Sequence, residues 1–432
     1  MTPAARLSAA VEVLADIDIR HRPAADALRD WGIAHRFAGS GDRAAIGGLV
    51  YDALRRKAST AYLMGDATPR ANMLGTLKLA RGLDVDAVAQ LCDGSRFAPD
   101  PLTQTEASAL SDGSLAGAAA PVLGDYPEWL DGNLRRVFGT ESAEEGAALA
   151  GRAALDLRVN TLKADRDTAA AALSHLNAVP TSWSHAGLRI SRAADAKSPA
   201  IQAEPAFLKG LVEVQDEGSQ VATLLAGAKP DEQVVDLCAG GGGKTLALAA
   251  LMDNRGQIYA TDTDKRRLAP IHERLERAGI RNVQVRTPRG DADLLADLAG
   301  EIDLVLIDAP CTGTGTWRRN PDAKWRIRPG ALEQRTKTQV EVLDRAAHLV
   351  KPGGRIAYIT CSVLAEENGD QVRAFVDRHR DFAVVPPSDV AQALGERAAP
   401  LLAAALVSPE GLLLTPRRTG TDGFFVSVIR RS

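Results

Sequence analysis

The chain has 432 residues, more than one core usually serves, so two or three domains are expected, and its 45% apolar and 25% charged residues are ordinary globular usage. A net charge of −3 excludes a globally basic nucleic-acid binder and leaves that function to local patches. Four cysteines without a CxxC pair or Cys/His metal spacing argue against structural zinc, any other metal site or a disulfide framework. No charged-then-apolar leader and no stretch near the roughly 20 apolar residues of a membrane span are seen, so a soluble, cytoplasmic protein is expected.

From Pro3 to about Gly94 the text is rich in Ala, Leu and Arg, with helical spacing. Ile46, Leu49, Val50, Ala53 and Leu54 fall on one face of a helix that would start after Asp42 as N-cap. Between Asp93 and Gly124, prolines, glycines and serines suggest a loose connector. A compact α+β module is expected next: a helix in YPEWLDGNLRRVFG ended by Gly139, a strand in LDLRVNTLK, a helix capped by Asp165 or Asp167, and a strand in GLRIS. Arg158, Asn160 and Lys163 there suit either a polyanion contact or a solvated surface. From Val212 onward strands and helices alternate. Strands are predicted at Val234–Cys238, Gln257–Thr261, Val283–Arg286, Leu304–Ile307, Arg355–Thr360 and Gly423–Ile429. Helices are predicted at Thr245–Met252, Lys265–Ala278, Leu332–Val350 and Glu366–Arg378. This alternation specifies an α/β, Rossmann-like doubly wound sheet, with the last strand antiparallel at its edge. The expected division is 1–124 helical with a linker, 125–211 the small α+β module, and 212–432 the sheet domain.

VVDLCAGGGGKTLALAALM sets a glycine-rich turn between the first strand and first helix of that sheet. Backbone there can approach a ligand closely, and the helix start offers oriented N–H groups. A triphosphate loop would need Gly where Cys238 stands, counting back from Gly243-Lys244-Thr245, and the dinucleotide spacing GxGxxG is not met. The second strand nevertheless ends in Asp262, placed to accept hydrogen bonds from ribose hydroxyls. Adenosine without a pyrophosphate fits both facts, and S-adenosylmethionine is such a ligand.

The run Ile302–Ile307 reads as a strand covered on both faces that ends in Asp308-Ala309-Pro310-Cys311 and a glycine turn. Lys351-Pro352-Gly353-Gly354 turns into a strand ending at Cys361. Two thiols are thus expected at one rim of the sheet, while Cys92 and Cys238 read as inert buried thiols. A thiolate beside a methyl donor suits methylation of a pyrimidine at C5, because addition to C6 makes C5 nucleophilic. Asp308 is positioned to stabilise charge developing on the ring, and one thiol would attack while the other assists release. Spacing leaves open which does which.

Together these residues resemble the RsmB/Sun-type RNA cytosine-C5 methyltransferases. Cys238–Thr245 is similar to the family's cofactor loop, Asp308–Gly315 to its release-cysteine motif, and Thr360-Cys361-Ser362 to its nucleophile motif. Tyr126–Leu130, Arg158–Lys163, Arg318–Asp322 with Lys324–Arg326, and Asp422–Phe425 extend the likeness to the end of the chain. The resemblance implies Cys361 as attacker and Cys311 as releasing residue, with Asp308 and Lys244 beside them. It implies S-adenosylmethionine held by Cys238, Ala239, Gly240, Gly241, Gly242, Gly243, Lys244, Asp262 and Asp308, and by Asp291 after the third strand. It implies RNA contact by Arg318, Arg319, Lys324, Trp325 and Arg326, the alternative being a solvated loop. Family loops commonly carry Ala and Pro where this chain has Gly240 and Gly241, which predicts a looser loop, by about 1 kcal/mol of entropy per Gly, and weaker cofactor binding. Gly41–Tyr51 resembles the NusB-like RNA-binding domain of ribosomal members, which favours 16S rRNA over tRNA as partner of a monomeric enzyme. The other reading is an RNA-binding assembly factor without turnover.

Overall fold

The computed structural model describes residues 1–191, 199–288, 290 and 293–432. Among these, one unit holds 1–152 with the inserted stretch 317–328, and the other holds 153–191, 199–316 and 329–432.

The first unit is helical. Pro3–Arg20 and Pro69–Arg81 each begin with proline in the first turn behind a threonine, Thr2 or Thr68, whose hydroxyl accepts an N–H of that turn. The helix Ser40–Arg55 buries Ile46, Val50, Ala53 and Leu54, the predicted face, against Leu7, Val13, Leu14, Met73 and Leu74. Asp42 is its third residue rather than its cap: Gly39 is the N-cap, and the Asp42 carboxylate accepts the Gly39 N–H at 3.3 Å. The expected loose connector contains the helix Gln104–Asp112, started by a reciprocal Thr103–Glu106 capping box, and buries Leu110 in the same core. Its Gly and Ser content masks that T-x-x-E start signal. Helix Asp131–Phe138 stops at Gly139, whose φ of +57° suits glycine.

The second unit contains two sheets. The smaller has strands β1 (Leu155–Val159), β2 (Val179–Pro180), β3 (Gly187–Ile190) and β4 (Val212–Val214) in the antiparallel order β2-β3-β1-β4. Asp165, not Asp167, caps the helix Arg166–Ala172, accepting the Thr168 N–H at 2.7 Å. The larger sheet has β5 (Gln233–Asp236), β6 (Gln257–Ala260), β7 (Val283–Val285), β8 (Ile302–Asp308), β9 (Val350–Thr360), β10 (Phe382–Val384), β11 (Leu406–Ser408), β12 (Gly411–Leu414) and β13 (Phe424–Arg431). Its order is β11-β12-β13-β9-β8-β5-β6-β7, with β10 also on β13. Strands β5 to β9 are parallel, while β13 is antiparallel to β9. This is the Rossmann-like doubly wound arrangement, and its direction of winding reverses between β5 and β8.

In β8, Ile302, Leu304, Val305, Leu306 and Ile307 are all fully buried, as a strand covered on both faces requires, each worth about 1.5–3 kcal/mol of transfer free energy. Two expectations are corrected. Strand β13 is interior, because β10 and β12 pair its far side with short strands that carry little periodic signal. The predicted helix Lys265–Ala278 is two pieces, Lys265–Leu268 and Ile271–Ala278, broken at Pro270, which has no N–H to give. No described helix is long and apolar enough to cross a membrane.

The loop after β8 is fastened at Gly315, whose N–H donates to Cys361 O at 2.9 Å and whose O accepts the Gly423 N–H at 2.8 Å. A Cβ added at Gly315 would lie 2.2 Å from Gly423 O. Backbone opposes backbone there, so nothing flexible can yield. Gly315→Ala is expected to cost about 2 kcal/mol or more in denaturant unfolding; an unchanged midpoint would show that this approach is not constraining.

Candidate active site

Ligands of open α/β sheets collect beyond the carboxyl ends of strands where the winding reverses, here at the ends of β5 and β8. Three chain segments leave the sheet at that rim: the loop after β5, Asp308 to Cys311 after β8, and Cys361 after β9.

The glycine loop runs from β5 into the helix Gly243–Leu251. Gly242 sits at φ +83°, and a Cβ there would meet Ile271 Cγ1 at 2.5 Å, so this position needs glycine on two counts. Cys238 and Ala239 are buried, and the Ala239 N–H donates to Thr261 O at 2.9 Å, tying the loop to the end of β6. Buried Asp262 accepts the Gly240 N–H at 2.9 Å through Oδ2 and the Asp264 N–H at 2.9 Å through Oδ1. Each oxygen keeps a further lone pair for a hydroxyl donor. Asp291 lies outside the described residues.

Lys244, buried at the start of the helix, places Nζ 2.7 Å from Asp308 Oδ2 and over the Phe424 ring at 5.2 Å. Cys311 Sγ and Cys361 Sγ are 3.3 Å apart. The hydrogen bond between the sulfurs, reinforced by burial and by charge on Cys361 and Glu367, pushes the Cys311 thiol well up. Cys238 is also pushed up, chiefly by burial, as an inert thiol should be.

Residues that the sequence pattern does not announce hold this rim together. Glu367, fully buried, accepts the Thr312 N–H at 2.8 Å and Gln339 Nε2 at 3.1 Å on Oε1, and the Thr312 hydroxyl on Oε2. Gln339 Nε2 also donates to Pro310 O at 2.9 Å. Thr314 and Ser362 join hydroxyls at 3.0 Å, and the Thr314 hydroxyl accepts the Val363 N–H at 2.9 Å. The loops bearing the two sulfurs are therefore braced side by side. Asp236, at the end of β5, is fully buried; its Oδ2 accepts the Thr245 hydroxyl at 2.6 Å, and its Oδ1 has no partner among the described residues. The available signal was an acid within an otherwise apolar buried strand.

The basic stretch lies in the helical unit, and there the expectation of RNA contact is corrected for Lys324. Its side chain is 0% exposed, with Nζ donating to Arg55 O at 2.7 Å and Asp125 O at 2.6 Å. Burial pushes its ammonium down to about 7 against the pull of Asp125. Two carbonyls, that of Arg55 at its helix end and that of Asp125, claim this cation more closely than solvent can. Trp325 is half-buried and donates Nε1–H to Leu54 O at 2.6 Å, so its edge is engaged with the bundle. Arg318 is buried, with its carbonyl accepting from Arg55 Nη1 at 2.6 Å, and Arg319 is half-buried. Arg326 is exposed and paired with Asp322 at 3.0 Å.

The model of the 16S rRNA methyltransferase RsmB/F family matches residues 222–430, and that of the RsmF/B-like ferredoxin-like domain matches 126–197. The chain is 31% identical over 308 residues to the probable ribosomal RNA small subunit methyltransferase B of Synechocystis sp., covering 71% of this chain and 67% of that protein. It is 32% identical over 313 residues to the Bacillus subtilis protein of the same description, covering 71% and 66%. The match thus spans about two thirds of these relatives' own length. Among solved structures, that of PH0851 superposes over 100% of this chain and 99% of its own, with a TM-score of 0.72 at 26% identity.

Burial pushes Asp236 up to about 7; the Thr245 hydrogen bond opposes this, the Asp308 charge reinforces it, Lys244 opposes it and Asp262 adds to it. The folded protein then holds this proton more tightly than the unfolded chain between the ordinary value of 3.8 and about 7. The stability it contributes is present in acid and lost as pH rises through that window. Thermal unfolding of wild type and Asp236→Asn from about pH 5 to about pH 8 should show wild type losing ground steadily to the variant. Parallel curves would mean that Asp236 is ionised throughout.

Proposed function

The chain belongs to the 16S rRNA methyltransferase RsmB/F family, and from that premise we propose that it methylates C5 of a cytosine in RNA, with 16S rRNA as substrate and S-adenosylmethionine as methyl donor. The observation that carries this reading is the 3.3 Å separation of Cys311 and Cys361 sulfurs, with the Lys244–Asp308 pair at the end of β8. The relatives' description as small-subunit ribosomal RNA methyltransferases supports the choice of rRNA.

The residues around the glycine loop fit the donor. The loop has no side chain over Gly240 to Gly243, Asp262 can accept from ribose hydroxyls, and buried Asp236 Oδ1 is an unfilled acceptor beside it. When bound, S-adenosylmethionine supplies an electrophilic methyl group to C5 and departs as a neutral thioether.

Cys361 Sγ, as thiolate, adds to C6 of the cytosine, and the C5=C6 electron pair is released into the ring so that C5 becomes nucleophilic. The Asp308 carboxylate is the acceptor for the exocyclic amine, and the Lys244 ammonium offsets the negative charge that develops on the ring. While Cys361 is a free thiolate, Cys311 donates to it and stays protonated. Once Cys361 is bonded to C6 that hydrogen bond is gone, and Cys311 can lose its proton to solvent. As thiolate it then removes the C5 proton. The C–H electron pair re-forms C5=C6, the C6–S bond breaks, and its electrons return to Cys361, which restores the starting pair with one proton released overall.

Cys361→Ala is expected to lower methyl incorporation into RNA by about 10³-fold or more while RNA affinity in filter binding stays near wild type. Turnover near the wild-type rate would reverse the roles given to the two sulfurs. Cys311→Ala should instead accumulate an RNA–protein adduct that survives a denaturing gel when donor and RNA are supplied. Free RNA alone, with full activity, would remove Cys311 from the mechanism.

A further inference from the structure

Resting on the donor site just proposed, one feature extends it. The motif Arg158–Lys163, read from sequence as suited to either a polyanion contact or a solvated surface, directs its Arg158, Asn160 and Lys163 side chains onto carbonyls of the same unit. Arg158 on β1 is buried, and its Nη1 donates to Gln215 Oε1 at 2.7 Å and to Gly243 O at 2.8 Å. Asn160 Nδ2 donates to Gly210 O at 3.0 Å and to Ala278 O at 2.8 Å, while Lys163 Nζ donates to Lys209 O at 3.0 Å and to Arg277 O at 2.7 Å. Ala278 and Arg277 are the last two residues of the helix Ile271–Ala278, where unpaired carbonyls and the negative end of the helix dipole favour such donors.

That helix in turn holds the glycine loop. Ile271 packs where a Gly242 side chain would be, and Arg274 Nη1 donates to Gly241 O at 2.5 Å. Arg274 is anchored by Glu213 of β4 at 3.4 Å, and Glu213 also pairs with Arg277 at 2.7 Å. Residues 158 and 213 are register partners on neighbouring strands of the small sheet. Two loop carbonyls, Gly241 O and Gly243 O, are therefore fastened by arginines that the small sheet supplies directly or braces through Glu213.

We propose that the small four-stranded sheet is a positioning element for the donor site, with Arg158 and the Glu213–Arg274 pair fixing the glycine loop in its binding conformation. The loop needs such fastening. Gly240 and Gly241 in place of bulkier residues leave its backbone free to sample many conformations, and each hydrogen bond to a loop carbonyl removes part of that freedom before the ligand arrives. Arg158 and Glu213 act through the loop, not on the reacting atoms, so their loss should appear in donor binding and not in chemistry.

Titration calorimetry of full-length, RNA-free protein with S-adenosylhomocysteine tests this. Arg158→Met is expected to weaken binding about tenfold or more and Arg158→Lys, which keeps one donor, about threefold. In turnover, KM for S-adenosylmethionine should rise by a similar factor, with kcat at saturating donor and RNA affinity within about twofold of wild type. Should Arg158→Met fail to fold, Glu213→Gln serves in its place, since it releases Arg274 with little change in volume. A folded variant with wild-type donor affinity, or one whose loss falls on RNA affinity or kcat, overturns the proposal. If wild-type protein binds no S-adenosylhomocysteine, both this inference and the methyltransferase reading fall; if wild type binds and the variants bind equally, only this inference does.

Discussion

In a parallel strand pair a slip of one residue turns every side chain to the opposite face, so the β8–β9 register, with Asp308 opposite Ile359, decides where both sulfurs can lie. Cys311 follows three residues after Asp308, and Cys361 two residues after Ile359. On the other flank of β8, Asp236 of β5 pairs with Leu306, which brings the glycine loop and Lys244 to the same rim. No single loop could assemble these groups. The sheet does it because parallel strands all deliver their carboxyl ends to one side.

A rim so crowded with ionisable groups is stable only if most are matched. Glu367 illustrates the point: burial raises its pKa, yet Thr312 and Gln339 donate to it, and the carboxylate ties the chain after β8 to the chain after β9. Lys244 and Asp308 satisfy one another. Asp236 is the exception, with one oxygen unmatched, and burial raises its proton affinity accordingly. Fixed dipoles and paired charges of this kind need not reorganise when charge develops beside them. The same bracing explains why the two sulfurs can sit in contact without either loop being drawn out of place.

Most of the large sheet was legible because its strands are long apolar runs bounded by glycine, proline or an acid, and the reactive pair was legible because both cysteines follow such strands directly. The short strands β10 to β12 were not, since three or four residues cannot display a period and their assignment depends on β13 across the sheet. One helix start was legible in chemistry but not in place, Asp42 serving its cap from the third helical position, while the start at Thr103 and Glu106 was hidden in a Gly- and Ser-rich stretch. Glu367 and Gln339 were invisible because their partners, Thr312, Pro310 and each other, are far away in sequence. Local pattern carries no information about such contacts.

The cations were the most misleading part of the sequence. Near a methyltransferase-like motif, Lys and Arg invite a phosphate reading, but the ends of helices and the outer faces of tight loops present carbonyl oxygens that ask for the same donors. Lys324, Lys163, Arg158 and Arg274 all answer that need. A buried cation bound to two carbonyls, as Lys324 is, is not available to a polyanion without leaving those carbonyls unpaired, at about 1–3 kcal/mol each. Arg326 and Arg328, by contrast, are exposed. Basic residues in such a chain therefore become informative about nucleic acid only after the backbone carbonyls have taken their share.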